Sequence, residues 1–248
     1  MYRRFAEVYD RLTQDIRYDK WADYLESAFL KFGKKPGLVL ELACGTGSLT
    51  VELAKRGYDM IGLDLSCDML SQAKEKSLKH GLDILFINQD MRRFELYGTV
   101  DAVICMLDSI NYITEKSDLE RVFSLIHMYL NPGGIFIFDI NSEYKLSRIL
   151  AGNTFYEISE DVAWIWNNTY DPSTRLCTFD LTFFTKTRGN LYARFDETHV
   201  ERAYTDEEIR DALAGAKLKL AGRFGCLNFD PPSPGEERIF YIALKEPH

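Results

Sequence analysis

Five short apolar runs constrain this chain more than any other feature: Leu38-Val39-Leu40, Met60-Ile61-Gly62-Leu63, Ile84-Leu85-Phe86-Ile87, Val100 to Leu107, and Ile135-Phe136-Ile137-Phe138. None alternates with polar residues, so each reads as a strand covered on both faces. Strands of that kind separated by helices pair in parallel, because the connection must cross over the sheet. The intervening helices carry stop and start signals. One runs from about Ser48 to Arg56 ahead of Gly57, and one is opened by Ser66 and ended by Gly81. A third places Leu119, Val122, Phe123, Ile126 and Leu130 on one face, with Ser117-Asp118-Leu119-Glu120 read as a capping box and Asn131-Pro132-Gly133-Gly134 as its stop. Before the first strand, Phe5, Val8, Leu12 and Ile16 form one helical stripe and Trp21, Tyr24, Leu25, Ala28 and Phe29 another, closed by Gly33 and Pro36.

From about Phe155 to Tyr204 the texture changes to runs rich in Trp, Phe, Tyr and Thr, broken at Asp171-Pro172-Ser173 and Arg188-Gly189-Asn190. Between Cys177 and Phe183 apolar residues alternate with Thr178, Asp180 and Thr182, which predicts an antiparallel meander with one buried face. A capping box at Thr205-Asp206-Glu207-Glu208 starts a last helix through Ala214, and strands near Leu218 to Phe224 and Ile239 to Leu244 follow. The expected organisation is an N-terminal cap and cofactor-binding α/β core over 1–150, a β-insertion over 151–204 serving as substrate lid or dimer surface, and a C-terminal piece over 205–248 completing the core sheet. A chain of 248 residues buries enough surface to fold without staples. Its five cysteines, Cys44, Cys67, Cys105, Cys177 and Cys226, are odd in number and lack C-x-x-C spacing, so they read as buried free thiols in a reducing compartment, and no metal site is expected. A net charge of -8 with scattered cations makes nucleic acid a poor partner. The start, Met1 to Glu7, has no signal-peptide character, and no run approaches the ~20 apolar residues of a membrane span. The expected address is the cytoplasm.

Glu41-Leu42-Ala43-Cys44-Gly45-Thr46-Gly47 lies directly between the first strand and the next helix. Small residues at Ala43, Gly45 and Gly47 permit a sharp turn and a close approach of ligand to main chain, and the following helix offers its N-terminal N–H groups. Asp64, at the end of the second strand, stands where a carboxylate accepts from both hydroxyls of a ribose. Together they point to an adenosine-containing cofactor. A dinucleotide is disfavoured, since Thr50 occupies the third small position of G-x-G-x-x-G and Glu41 would repel a pyrophosphate. Glu41 suits an α-ammonium group instead.

With E-x-x-x-G-x-G followed by an acidic end of strand two, the chain resembles the class I S-adenosylmethionine-dependent methyltransferases. Asn88-Gln89-Asp90-Met91 is similar to the family's adenine-binding turn, Cys105 to Tyr112 to the segment beneath the cofactor, and Leu130 to Gly134 to its L-x-P-G-G turn. The match spans roughly residues 38 to 140, with Ala43 in place of the common first glycine. The resemblance implies a Rossmann-like seven-stranded sheet of order 3-2-1-4-5-7-6 and S-adenosylmethionine as cofactor. It also implies cofactor contacts from Glu41, Ala43, Gly45, Gly47, Asp64, Leu65, Met69, Asp90, Met91, Leu107, Asp108 and Tyr112. Tyr9-Asp10 and Tyr18-Asp19-Lys20-Trp21 resemble the helical cap of small-molecule N-methyltransferases of the glycine/sarcosine and amino-sugar type, which adds Tyr9, Tyr18 and Trp21. Tyr18 and Trp21 equally suit packing of their helix on the sheet. The implied reaction is methyl transfer to a small molecule, an amine first, with Tyr112, Asp139 or His199 as proton acceptor. Because the insertion leaves and re-enters the sheet at its carboxyl edge, Trp164, Trp166, Arg194 and His199 are expected to wall the substrate, the alternative for the meander being a dimer surface. The chain also resembles bacterial methyltransferases of undefined substrate, which leaves RNA or ribosomal protein as an alternative acceptor, and binding without turnover as another. Asn228 to Pro232 looks like a D-P-P-Y motif but lies between the last two strands, where a loop is expected.

Overall fold

Glu41 and its neighbours end the first strand of a sheet whose strands all deliver their carboxyl ends to one edge, except the last. In the computed structural model, which describes residues 3–247, the elements in chain order are α1 (Arg3–Leu12), α2 (Tyr18–Lys31), β1 (Leu38–Leu42), α3 (Ser48–Lys55), β2 (Asp59–Asp64), α4 (Cys67–Lys79), β3 (Leu85–Asn88), β4 (Val100–Cys105), α5 (Lys116–Tyr129) and β5 (Leu130–Asn141). A π-helical turn (Lys145–Leu150) leads into β6 (Thr154–Ile158), β7 (Val162–Asp171), β8 (Leu176–Lys186) and β9 (Tyr192–Arg202), and α6 (Asp206–Gly215), β10 (Leu218–Phe224) and β11 (Arg238–Lys245) finish the chain. Met1, Tyr2 and the Phe5 side chain of the first stripe lie outside the described residues.

The seven-stranded sheet runs β10-β11-β5-β4-β1-β2-β3, the expected order, with β11 antiparallel to both neighbours. Adjacent residues of each strand serve opposite faces, which is why the runs show no polar alternation. Val39, Ile104, Ile137 and Phe240 pack against Trp21, Leu25 and Phe29 of α2 and Leu49 and Leu53 of α3. Leu40, Val103, Phe136, Phe138 and Tyr241 pack against Leu119, Val122 and Phe123 of α5 and Ile209 and Leu213 of α6.

The insertion is a four-stranded antiparallel sheet, β6-β7-β8-β9; its last two turns fall at the expected breaks, while the first, between Ile158 and Val162, falls at neither of them. One end of its inner face (Val162, Trp164, Phe183, Phe195) packs on Val8 and Leu12 of α1, and the other (Trp166, Cys177, Phe179) on Leu146 and Leu150 of the π-helical turn. The insertion therefore bridges the N-terminal helix and the carboxyl edge of the main sheet.

Several local expectations are corrected. The helix read from Ser117 starts at Lys116 after Glu115, with no side-chain cap, so Ser117-Asp118-Leu119-Glu120 is not a capping box. Asn131 to Gly134 are drawn into β5 rather than standing outside it, with a register shift opposite them between Val100 and Ala102. By contrast Thr205 and Glu208 form a full capping box: Glu208 N donates to Thr205 Oγ1 at 3.2 Å and Thr205 N to Glu208 Oε2 at 3.0 Å. All five thiols are free, but Cys67 and Cys226 are exposed while the other three are buried. Among the described residues no helix is long and apolar enough to cross a membrane.

Candidate active site

After β1 the chain turns through Ala43, Gly45 and Gly47 at φ of +53°, +54° and +70°. Three left-handed residues in five coil the backbone tightly; glycine takes this conformation freely, whereas Ala43 holds it against the crowding of its Cβ. The two glycines are small for different reasons. A Cβ on Gly45 would meet open space, but one on Gly47 would come within 2.8 Å of Ala73 Cβ on α4. Gly45 thus leaves room above the main chain, and Gly47 lets α3 and α4 close.

Asp64 ties this turn to β2, accepting from Gly45 N and Ser66 N at 2.8 Å each. Each oxygen keeps further acceptor capacity, and burial raises its carboxyl. Glu41 is buried at the end of β1 and accepts from Thr50 Oγ1, the residue that departs from the dinucleotide pattern. Burial pushes its carboxyl up to about 8, and no cation pairs with it among the described residues. A buried carboxyl lacking a cation beside an open glycine turn, with an aspartate at the next strand end, fits the ammonium and ribose of S-adenosylmethionine.

α1 lies across this turn. Lys76 Nζ of α4 pairs with Asp10 at 2.8 Å and donates to Ser48 Oγ at 2.5 Å and Thr46 Oγ1 at 3.2 Å, while Thr46 Oγ1 donates to Asp10 at 2.5 Å. Tyr9 is held between strand ends: its hydroxyl is raised by burial and then by Tyr18, Asp108, Asp64 and Asp10. Tyr18 is likewise raised by burial, with Thr13, Asp10, Ser48 and Glu41 around it. Met69 packs beneath α1. Trp21 is placed differently: it packs on Phe240, and the Arg238 guanidinium lies 5.4 Å from the centre of its ring.

On the β3 side, Asn88 Nδ2 donates to Asp64 O at 3.1 Å and Leu65 O at 2.8 Å. A cavity of about 360 Å³ is lined by Leu65, Asn88, Gln89, Asp90, Arg93 and Glu95. Asp90 is turned onto its own loop, its two oxygens chelated by Arg92, which also lowers its carboxyl. Met91 packs against the core. A second cavity of about 580 Å³, between α4 and β3, shares only Asn88 with it and contains none of the expected site residues.

Beyond β4, Leu107 and Asp108 are both left-handed, at φ of +58° and +55°, and their N–H groups donate to the Asp139 carboxylate at 2.7 and 3.0 Å. Arg238 then bonds Asp139 and, at 2.5 Å, Asp108. Asp139 is wholly buried and fully engaged as an anchor for this strained corner. Asn111 stitches the same edge to the insertion, donating to Asn141 O and Arg202 O at 3.0 Å. Behind Asp108 stands Glu201 of β9, which bonds it and accepts from Asn141 Nδ2 at 2.8 Å; Asn141 Oδ1 accepts from Lys145 Nζ at 2.9 Å. Tyr112, 44% exposed, meets His199 edge to face at 5.8 Å, and burial lowers the imidazole.

Above them the insertion presents its inner face. Strand alternation puts Trp164, Trp166, Leu181, Glu197 and His199 on that face, Trp164 in the end packed on α1, Trp166 in the end packed on the π-helical turn, and Leu181 touching both. Arg194 falls on the opposite face, paired with Asp196 at 2.9 Å, so its expected place in the substrate wall is overturned by the register. Arg238, Glu201 and Lys145 are the residues that sequence reasoning missed. Each comes from a different element far along the chain, and no local pattern marks them.

A family described as a methyltransferase domain matches residues 39–134. YqeM of Bacillus subtilis (strain 168), provisionally named a methyltransferase, is 35% identical over 246 residues, covering 99% of this chain and 97% of that protein. A glycine/sarcosine N-methyltransferase of Halorhodospira halochloris is 30% identical over 149 residues, 55% of this chain and 56% of that one. A solved S-adenosylmethionine-dependent methyltransferase from Clostridium acetobutylicum ATCC 824 is 35% identical with a TM-score of 0.90, covering 100% of this chain and 99% of that chain. With the glycine turn, Glu41 and Asp64 set at the carboxyl edge of the seven-stranded sheet, these likenesses are decisive: the chain belongs to the S-adenosylmethionine-dependent methyltransferases, and S-adenosylmethionine is its cofactor.

Proposed function

We propose that this enzyme methylates the nitrogen of a small-molecule amine. The observation that carries this reading is the enclosure of the acceptor end of the cleft: carboxyls of Asp108 and Glu201 below, the Tyr112–His199 pair at the rim, and Trp164, Trp166 and Glu197 above. An aromatic and acidic enclosure favours a compact cation over a polyanion. The glycine/sarcosine N-methyltransferase relative points the same way.

When bound, S-adenosylmethionine supplies a methyl carbon on a good leaving group. The protein's part is to position and to exclude water. Glu41 holds the ammonium, Asp64 the ribose, Gly45 the approach to the main chain, and Asp90 with the Met91 backbone the adenine rim, while Leu65, Met69 and Leu107 supply apolar wall. Tyr9 and Tyr18 close over the methionine end; Trp21, with Arg238 on its ring, supports that closure from behind. His199, kept neutral by burial, stands beside Tyr112 to take the proton that the nitrogen sheds after it has been methylated. Asp139 acts through Leu107 and Asp108 as a positioning residue. In this reading residues 1–150 bind the cofactor, 151–204 roof the acceptor and 205–248 complete the sheet. The enzyme works in the cytoplasm without nucleic acid, and exposed Tyr156, Ile158 and Ile165 on the insertion's outer face are where a second copy would pair.

The test is release of S-adenosylhomocysteine with a panel of small amines, amino sugars and tRNA. Turnover with amines supports the reading. Turnover with tRNA alone, or tight cofactor binding with no turnover on any of them, would overturn it.

A further inference from the structure

The acceptor end of the cleft holds an unequal set of charges. Three carboxyls, Asp108, Asp139 and Glu201, converge there with two cations, Arg238 and Lys145. Arg238 neutralises one aspartate while touching both, and Lys145 acts on Asp108 and Glu201 from the π-helical turn. One carboxyl is left over. Glu201 is that carboxyl: it is 1% exposed, and its bonds are to Asn141 and to Asp108 itself. Two carboxyl groups in direct contact away from water cannot both be ionised, so the contact needs a proton between them. Asp108 is the accessible partner, its side chain 19% exposed, at the corner that Tyr9 faces from α1. From the opposite side α2 contributes Tyr24, a buried side chain whose hydroxyl has no hydrogen-bond partner among the described residues and is influenced by Asp139.

We propose that Glu201 is the proton-holding residue of the acceptor site, sharing one proton with Asp108 until a primary or secondary ammonium group of the acceptor takes its place as the missing third cation. This rests on the amine reading above and deepens it. The exchange balances. The ammonium enters against Asp108, the shared proton leaves to solvent, and the cluster stays neutral with three carboxylates and three cations. For the nitrogen to become a nucleophile, one N–H proton then passes to the vacated carboxylate, which restores the shared pair and bares the lone pair. One proton is released for each acceptor bound.

The groups facing Glu201 are Asp108 from the end of β4, Asn141 from β5, Lys145 from the π-helical turn and Cys177 from β8, with Arg238 of β11 behind Asp108 and His199 on its own strand. Burial first, and Asp108 next, hold the Glu201 carboxyl well above the ordinary range. A carboxyl raised by folding stabilises the fold below its ordinary value, and that contribution is lost as the pH rises from there to the folded value.

The experiment compares thermal unfolding of the full chain and of Glu201→Gln across pH, with ethylammonium chloride or sodium chloride at equal concentration. Expected is a fall of Tm in the parent, relative to Glu201→Gln, of about 3–5 °C per pH unit in that window. Ethylammonium should restore Tm in the parent and leave Glu201→Gln unmoved. Parallel pH profiles, or an equal response of both proteins to ethylammonium, would overturn the proposal. If Glu201→Gln does not fold, infrared difference spectra of the parent complexed with S-adenosylhomocysteine serve instead: a protonated-carboxyl band that ethylammonium removes supports it, and an unchanged or absent band overturns it. The amine panel separates the two readings. An ethylammonium response without amine turnover sinks the amine reading alone, and turnover with parallel profiles sinks this one alone.

Discussion

Asp10 of α1 and Lys76 of α4 meet at 2.8 Å across the glycine turn, with Thr46 Oγ1 bonded to both. The pair holds the N-terminal helix over the glycine turn, and if the cofactor meets that turn as proposed, α1 should lift for exchange and settle again for catalysis. Because Asp10 is half-exposed, the pair is worth little by itself, on the order of 0.2–1 kcal/mol. Lys76→Met should therefore weaken S-adenosylhomocysteine by up to about 5-fold. The loss should fall in the dissociation rate, read by stopped-flow fluorescence. An unchanged dissociation rate would show that α1 is held by its apolar contacts with Met69 and Val162 alone.

Asp64→Ala removes a carboxylate that secures Gly45 N and Ser66 N and that, in the proposed reading, offers its remaining lone pairs to the ribose. Charge-assisted hydrogen bonds contribute roughly 1.5–3 kcal/mol each before water compensates. Calorimetry should show S-adenosylhomocysteine affinity reduced by about tenfold or more. Affinity equal to the parent's would reduce Asp64 to a turn-forming residue.

How much of this was legible in the sequence follows from how local each feature is. The strand, turn and helix around Gly45 and the carboxylate at Asp64 are contiguous or fall at a strand end, so spacing alone places them. The box at Thr205 is legible because Glu208 answers it, whereas the same pattern at Ser117 fails because Glu115 already stands at the helix start. Arg194 looked like a pocket residue from composition, and only the register against Phe184 assigns it to the outer face. The Asp108–Glu201–Arg238 cluster is invisible along the chain. It joins the end of β4, the last inserted strand and β11, and such convergence exists only once the insertion has folded back on the sheet edge.

If Glu41 holds the cofactor ammonium as proposed, it should make cofactor binding pH-dependent. Its carboxyl, raised by burial to about 8, is largely protonated at neutral pH in the protein alone. That contribution to stability is present below the ordinary carboxyl range and lost as the pH climbs toward about 8. The ammonium of S-adenosylhomocysteine favours the ionised form, so binding expels a proton. Affinity should rise with pH across this window by up to about tenfold per unit, and calorimetry in buffers of different ionisation enthalpy should count the proton released. In Glu41→Gln both the pH slope and the proton should disappear; their persistence would move the coupling to another group.

Gly45 and Gly47 separate binding from folding within one turn. Both are left-handed, so alanine at either costs about 1–2 kcal/mol in backbone strain. At Gly47 the new Cβ also meets Ala73 Cβ at 2.8 Å, which adds an overpacking cost of about 1–3 kcal/mol between α3 and α4. At Gly45 it meets no protein atom within 4 Å and projects into open space, which the proposed reading gives to the cofactor. Gly47→Ala should therefore show the larger fall in Tm. Gly45→Ala should keep more of its Tm and yet lose about tenfold or more in S-adenosylhomocysteine affinity, since a methyl group would stand where the ligand approaches the main chain. Thermal unfolding and calorimetry on the two variants decide the matter. If Gly45→Ala bound the cofactor as tightly as the parent, the open space above Gly45 would not be part of the cofactor site, and the approach would have to be reassigned to the side of the turn that faces Asp10.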